Sequence, residues 1–387
     1  MRSRIPTRRL WTEIEGNKRL DYLRKFDYFL MGVVLIITAI GLVFLKSAMY
    51  SMYEDHGSSA MVVQIAGLIL GLILAMVLCY VDYGIFKKFC IPFYIANIFM
   101  MLLVYTPLGI TQYDSRSWLN LYVTTYQPSE LMKLAMILVL AKQIETIHAE
   151  GFTWKRAAGL LIAFGIPLGL VVLQKDIGQA MVFVFIFLVV IFVGGIKWWF
   201  IASVVGAGGV MVPFLWKFYM NDTRRDRLLG FLDPEKYADY TLQLRQSITA
   251  IGSGQLVGKG IGEGPMNNGK KILVKMTDSI FAVIGEEAGF IGTAAVVGLM
   301  AVMLVRIIFI SSRARDIFGK CIAAGIFAMF AFNIFENIGM NLGIMPITGL
   351  PLPFFSKGGS AMVTNFIAVG FLLSISLRTV KGFFSES

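Results

Sequence analysis

Lys275-Met276-Thr277-Asp278-Ser279-Ile280-Phe281 marks the point where a long polar, glycine-rich stretch gives way to a strongly apolar run. A carboxylate at that boundary sits at the mouth of a membrane helix. It is placed as a general base would be, facing a polar head carried on a lipid tail. Ten apolar runs of spanning length occur in the chain, at about 28–45, 61–81, 89–105, 128–147, 157–173, 177–196, 198–219, 278–309, 317–342 and 360–380. The composition agrees: 57% of the 387 residues are hydrophobic and 15% charged, against about 25% charged in soluble domains. The expected fold is an all-α polytopic membrane protein with about ten transmembrane helices. A basic segment, 1–27, precedes a single ten-helix domain over 28–382, and 383–387 form a tail. One large extracytoplasmic loop, 220–277, joins helices 7 and 8. The eighth run is too long for one straight span and should tilt or extend beyond the bilayer.

The net charge of +11 is distributed as a membrane protein's is, with basic residues crowded at the ends of apolar runs, and not as a nucleic-acid surface. Arg2, Arg4, Arg8, Arg9, Lys18, Arg19, Arg24 and Lys25 precede the first run. Lys87 and Lys88, Lys142, Lys155 and Arg156, Lys197, Arg313, Arg315 and Lys320, and Arg378 and Lys381 all fall on the same side. The positive-inside rule makes that side, and with it both termini, cytoplasmic. Without a small-residue cleavage site after it, the first run is expected to be retained as a helix rather than removed as a signal peptide. The outer loop 220–277 is basic too, which long loops tolerate. Its charge suits an anionic head such as a pyrophosphate, or simple attraction to anionic lipid. Cys79, Cys90 and Cys321 lack metal-site spacing, and His56 and His148 are far apart, so neither a disulfide framework nor a zinc cluster is expected.

Several constellations carry chemistry. Gln127-Pro128-Ser129-Glu130-Leu131-Met132-Lys133 opens the fourth run. Proline suits a first helical turn, and Glu130 and Lys133, three apart, can pair. Such a pair is either a clamp between helices or the lining of a cavity open to the outer surface. Asp176 begins the sixth run as a helix cap or as part of the same outer cluster. Asn333, Glu336, Asn337 and Asn341 share one helix face, as interhelical glue or a cavity lining. Glu286 and Glu287 lie deep enough in the eighth run to call for an interior cation. Arg116 and Trp118, Lys175, Lys275, and Lys357 with Gly358 and Gly359 share the outer face with Asp278. They supply cations for a phosphate group and glycines for close backbone approach. Helix capping is the competing account of Asp278. The glycines at 252, 254, 258, 260, 262 and 264 do not make a nucleotide loop, because the spacing is wrong and Lys259 is followed by Gly260.

Arg116-Ser117-Trp118-Leu119-Asn120 and Gln127 through Ala135 resemble the outer-loop and fourth-helix signature of the SEDS (shape, elongation, division, sporulation) proteins. The large loop around Gln246-Ser247 and Gly252-Ser253-Gly254, and Thr277-Asp278 through Glu286-Glu287, are similar to that family's loop and eighth helix. Asn337-Ile338-Gly339-Met340, Met345 through Phe354, and Ser356 with Gly358-Gly359-Ser360 resemble its C-terminal signature, most like the RodA branch. The resemblance runs from the first span to the last and implies ten spans. It also implies a peptidoglycan glycosyltransferase that polymerises lipid II at the outer face of the bacterial plasma membrane, working with a class B penicillin-binding protein. It places Asp278 on the family's essential carboxylate and Glu130 and Lys133 on its cavity pair. Mg²⁺ or Mn²⁺ is the candidate cofactor, with no organic cofactor. The remaining substrate-cavity residues expected are Arg116, Trp118, Asp176, Lys275, Lys357, Gly358, Gly359 and Ser360.

The chain departs from the family pattern at Leu273-Val274-Lys275-Met276, where Pro-Glu-x-His is usual. Lys357 stands for a tyrosine and Lys175 for a proline. Two other functions compete: a flippase for the lipid-linked precursor, and a non-catalytic scaffold for the penicillin-binding protein.

Overall fold

The computed structural model describes residues 24–50, 57–112, 115–120, 125–218, 225–226, 229–231, 233, 236–237, 241–269, 271–272 and 275–379. The basic residues at 1–23, much of the outer loop and the tail at 383–387 lie outside the described residues. Apolar sequence becomes helix because the backbone must satisfy its own hydrogen bonds where water is absent. The helices are α1 (Tyr28–Tyr50), α2 (Gly57–Tyr80), α3 (Phe86–Leu103), α4 (Pro128–Glu150), α5 (Trp154–Leu173), α6 (Ile177–Val193), α7 (Trp198–Phe218), α8 (Leu242–Ser253), α9 (Pro265–Asn268), α10 (Ile280–Ser312), α11 (Ile317–Leu342) and α12 (Gly359–Leu377). Seven of them, α1, α2, α3, α5, α10, α11 and α12, are long and apolar enough to cross a membrane, while α6 and the apolar part of α7 are shorter.

Helix α4 differs from the rest. It carries Glu130, Lys133, Lys142, Glu145 and Glu150, yet 15 of its 23 residues are buried. It packs on α3, α5, α6 and α11, so protein rather than lipid surrounds it, and Glu130, Lys133, Glu145 and Glu150 all meet charged partners. Close approach elsewhere follows small residues. Helices α2 and α12 lie together where Gly67 meets Gly359 and Ala75 meets Gly370. Away from the loops, ion pairs tie the helix ends: Lys87 to Glu145 at 2.6 Å and to Asp316 at 3.4 Å, and Arg306 to Asp27 at 2.9 Å.

Between α3 and α4 the chain forms an antiparallel sheet, β1 (Gly109–Gln112), β2 (Ser115–Asn120) and β3 (Thr125–Tyr126), in sequence order. The all-α expectation is corrected here. Gly109 pairs with Leu119 and Ile110 with Trp118, a bulge follows before Gln112 meets Ser115, and Leu119 pairs again with Tyr126. The physical reason is alternation: Ser117 and Leu119 point inward while Arg116 and Trp118 are half-buried. The carbonyl of Gln174, at the α5–α6 turn, accepts from the N–H of Arg116 (3.1 Å) and the hydroxyl of Ser115 (3.2 Å), anchoring the sheet.

The long eighth run is broken rather than merely tilted. Gly289 has φ +64° and ψ −164°, and residues 280–287 before it are all buried. A break in a membrane helix leaves backbone groups unpaired, and here residues 255–260 of the loop before α10 pair four of them. Lys259 N–H donates to the Glu286 carbonyl and Gly260 N–H to that of Glu287, both at 3.0 Å. Phe290 N–H reaches the Gln255 carbonyl at 2.8 Å and Ile291 N–H that of Leu256 at 3.1 Å. The glycine-rich stretch is therefore a backbone-to-backbone splice. A Cβ at Gly258 would lie 2.1 Å from the Glu287 carbonyl oxygen, and one at Gly289 would lie 2.3 Å from the Gly258 nitrogen.

Gly289→Ala or Gly258→Ala should cost at least about 1–3 kcal/mol from the left-handed backbone alone. Gly206→Ala in α7, where a Cβ meets nothing within 4 Å, should be neutral or stabilising. Thermal unfolding of the purified variants in detergent measures the contrast. Equal melting temperatures for all three would contradict the splice.

Candidate active site

The segment 276–278 is non-helical, and its carbonyls are held by the 356–357 turn and by α11. Lys357 N–H donates to the Met276 carbonyl at 2.7 Å. The Ser356 hydroxyl donates to that of Thr277 and itself accepts from Leu352 N–H at 2.8 Å. The side-chain amides of Asn337 and Asn341 both donate to the Asp278 carbonyl at 2.9 Å. Asn337 also donates to the Leu350 carbonyl at 2.7 Å. Behind them, Ser279 is buried and accepts from Gln243 of α8 at 3.1 Å. The main chain at Asp278 is thus fixed from α11 and from the 350–357 connection, and Asp278 itself is half-buried. Burial pushes that carboxyl up to about 6, the Thr277 hydroxyl opposes the shift, and the charge of Asp176 adds to it. A group with that proton affinity is suited to take a proton near neutral pH.

Asp176 caps α6: its Oδ1 accepts from Gln179 N–H at 3.1 Å, and Oδ2 from the Gln127 side chain at 3.2 Å. Its carboxyl is also raised, first by burial, with the Gln179 N–H opposing and the charge of Glu130 adding. Asp176 is thus the cap of α6 and lies near enough to Asp278 for its charge to act there. Glu130 Oε1 accepts from Lys133 Nζ at 2.8 Å and from the Gln179 amide at 2.7 Å, and the ion pair is enclosed, with side-chain exposures of 0% for Lys133 and 3% for Glu130. Glu130 also borders a small cavity with Asn333, Pro351, Ser356, Met362 and Asn365. Glu130 thus serves both the clamp and the cavity wall, while Lys133 is enclosed behind it.

The expected cations separate. Lys357 is half-buried beside Met276, and its ammonium has no protein partner among the described residues. Arg116 Nη2 donates to the Thr106 carbonyl at 2.9 Å, while its buried Nε is unpartnered. Trp118 is half-buried on β2. Lys175 is exposed with φ +65°, a backbone the proline ring could not adopt. Lys275 is corrected. It is 4% exposed and donates to the carbonyl and side-chain oxygens of Asn267, at 2.6 and 2.9 Å. Glu286 accepts from Met266 and Asn267 N–H at 2.7 and 2.9 Å, and Glu287 from the Asn267 amide at 2.8 Å and from Ser47. Lys275 belongs to that buried knot, which joins the loop to α1 and α10 through Asn267.

Gly358 N–H donates to Gln64 at 2.9 Å, Gly359 packs on Val63, and Ser360 is half-buried in the first turn of α12. Their contacts serve the joint between α2 and α12. Among the described residues no three His, Cys, Asp or Glu side chains converge; Mg²⁺ commonly takes only one or two carboxylates, with the phosphates of a substrate supplying the rest. Sequence reasoning left Asn337 and Asn341 between glue and cavity lining, quoted Ser356 in the C-terminal signature without a role, and gave none to Gln179. The two asparagines are the clamps on Asp278, and polar residues one turn apart on an otherwise apolar helix were the available signal.

A family model described as "Cell cycle protein", covering FtsW, RodA and SpoVE, matches residues 27–381. The peptidoglycan glycosyltransferase MrdB of Escherichia coli (strain K12) is 32% identical over 327 residues, 84% of this chain and 87% of that protein. Stage V sporulation protein E of Bacillus subtilis (strain 168) is 33% identical over 365 residues, 90% and 96% of the two chains. A chain from the structure of a peptidoglycan synthase complex superposes with a TM-score of 0.75 at 28% identity, covering 91% of this chain and 97% of that one.

Lys133→Met leaves the Glu130 carboxylate buried without its cation, and should cost roughly 3–5 kcal/mol. Glu130→Gln together with Lys133→Met should recover much of that loss. Thermal unfolding of the three proteins checks it; a double variant as unstable as the single one would contradict the pairing.

Proposed function

The chain belongs to the FtsW/RodA/SpoVE family, multi-pass proteins of the bacterial cytoplasmic membrane, and from that premise we propose that it is a peptidoglycan glycosyltransferase polymerising lipid II. The observation that carries the reading is the Asp278 carboxyl, held on a pinned backbone at the end of the bundle where the outer loop meets the helices, with a proton affinity near that of a neutral-pH base. Asp278 takes the proton from the 4-hydroxyl of the acceptor's N-acetylglucosamine. The freed oxygen forms a bond to C1 of the donor's N-acetylmuramic acid on the face opposite the polyprenyl pyrophosphate. The C1–O bond to that pyrophosphate breaks, and the electron pair leaves with it, so the new link is β-1,4.

Lys357, with a free ammonium one backbone hydrogen bond from Met276, is the first choice to grip the departing pyrophosphate. Arg116, half-buried on β2, is the second. Mg²⁺ or Mn²⁺ would have to take ligands from the phosphates, and no step here uses one. The basic residues of the short connections support ten crossings with both termini in the cytoplasm, which sets Asp278 at the outer face. The likeness of 337–354 to the RodA branch supports a role in wall elongation, and the match to a chain of a synthase complex supports pairing with a class B penicillin-binding protein.

Asp278→Asn should lower polymerisation of purified lipid II by about 10²–10⁴-fold while leaving thermal unfolding in place. In the parent, kcat/KM should rise with pH through about 6 and level off above it, because the base works as its carboxylate. Labelled glycan strands resolved on gels provide the measurement. An Asp278→Asn protein as fast as the parent would end this mechanism.

A further inference from the structure

Glu336 lies one residue from the asparagine that pins Asp278, and the mechanism above leaves it idle. It is fully buried on α11. One carboxyl oxygen accepts the Thr348 hydroxyl, and the other has no partner. The segment that Thr348 begins is the wall of the Asp278 site. A Cβ on Gly349 would stand 3.3 Å from Asp278 Oδ2, so the bare α-carbon of Gly349 faces the carboxylate. The carbonyl of Leu350 is held by Asn337 at 2.7 Å. The other side of Thr348 is closed by α6: a Cβ on Gly178, two residues from Asp176, would lie 2.9 Å from the Thr348 carbonyl oxygen.

One turn of α11 therefore controls both sides of the gap in which the carboxyl of Asp278 sits. Asn337 holds the Asp278 main chain and the Leu350 end of the wall, and Glu336 holds the Thr348 end. Without Glu336, Thr348 keeps only packing to fix it, and Gly349 can move toward or away from Oδ2.

We propose that Glu336 is a positioning residue for Asp278, acting through its hydrogen bond to Thr348 to hold Gly349 against the reacting carboxyl. This rests on the assignment of Asp278 as the base. A displacement of that wall changes where the carboxyl points relative to the acceptor hydroxyl. It does not touch the grip on the lipid-linked pyrophosphate, so kcat should fall while KM stays. Misplacement of a reacting group by a fraction of an ångström to one ångström costs up to about 100-fold.

The test is steady-state polymerisation of lipid II by the full-length protein carrying Glu336→Leu, Glu336→Gln, Thr348→Val, or Glu336→Leu with Thr348→Val. The parent and Asp278→Asn are run beside them, and thermal unfolding gives the folded fraction. Glu336→Leu and Thr348→Val should each lower kcat by about 10- to 100-fold with KM within two-fold. Glu336→Gln keeps an acceptor for Thr348 and should stay within about three-fold of the parent. The double variant should be no slower than either single one, since both remove the same bond.

Parental kcat in Thr348→Val, or single losses that multiply in the double variant, overturns the proposal even if Glu336→Leu fails to fold. With an active parent and a dead Asp278→Asn, those results remove the positioning role alone. A parent that makes no glycan, or an active Asp278→Asn, removes the base assignment and the proposal with it.

Discussion

A polar backbone group in surroundings without water must find a protein partner, and the site exists because this chain meets that demand with non-helical segments. Met276, Thr277 and Asp278 leave the helical pattern just before α10. Their three carbonyls are taken by Lys357 N–H, the Ser356 hydroxyl and the pair Asn337 and Asn341. The same demand recurs at Gly289, where four backbone groups of the broken helix are paired by residues 255–260 of the loop. One solution fixes Asp278 from inside the bundle, and the other fixes the 255–260 stretch against α10. Together they make the half-helix 280–288 a rigid wedge, carrying Asp278 at one end and the splice at the other.

Electrostatics then follow from position. Asp176 and Asp278 stand close enough to influence one another, and burial raises the proton affinity of both. The cation that lies deepest nearby, Lys133, is already committed to Glu130. Asp278 therefore keeps a proton affinity that a salt bridge would have removed. Lys357 and Lys175 bring positive charge to the same end without forming an ion pair with Asp278 among the described residues. At Lys175 the left-handed backbone replaces a position where the family pattern has proline, so this turn reaches α6 by a different route.

The helices were legible because lipid imposes a single periodicity-independent signal, a run of apolar residues, and Asp278 stood out as the acid at the edge of one. Glu130 and Lys133 were legible from their spacing, and Asp176 from its place before α6. The sheet at 109–126 was missed because its strands are only two to six residues long and sit in a polar connection. The break in α10 was hidden because Gly289 is one glycine among many, and only the distance to Gly258 reveals its purpose. Lys275 misled because sequence proximity to Asp278 says nothing about which way a long side chain reaches, and it reaches Asn267.

The pinned carboxyl at Asp278 is pushed up to about 6 by burial, well above an ordinary aspartate. Carbodiimide coupling of a membrane-impermeant amine to intact cells or oriented vesicles, read by mass spectrometry across pH, addresses it directly, since the reagent captures the protonated acid. Labelling of Asp278 from outside with a midpoint near 6 is the result this account predicts. A midpoint near 4, or labelling only from the cytoplasmic side, would contradict it.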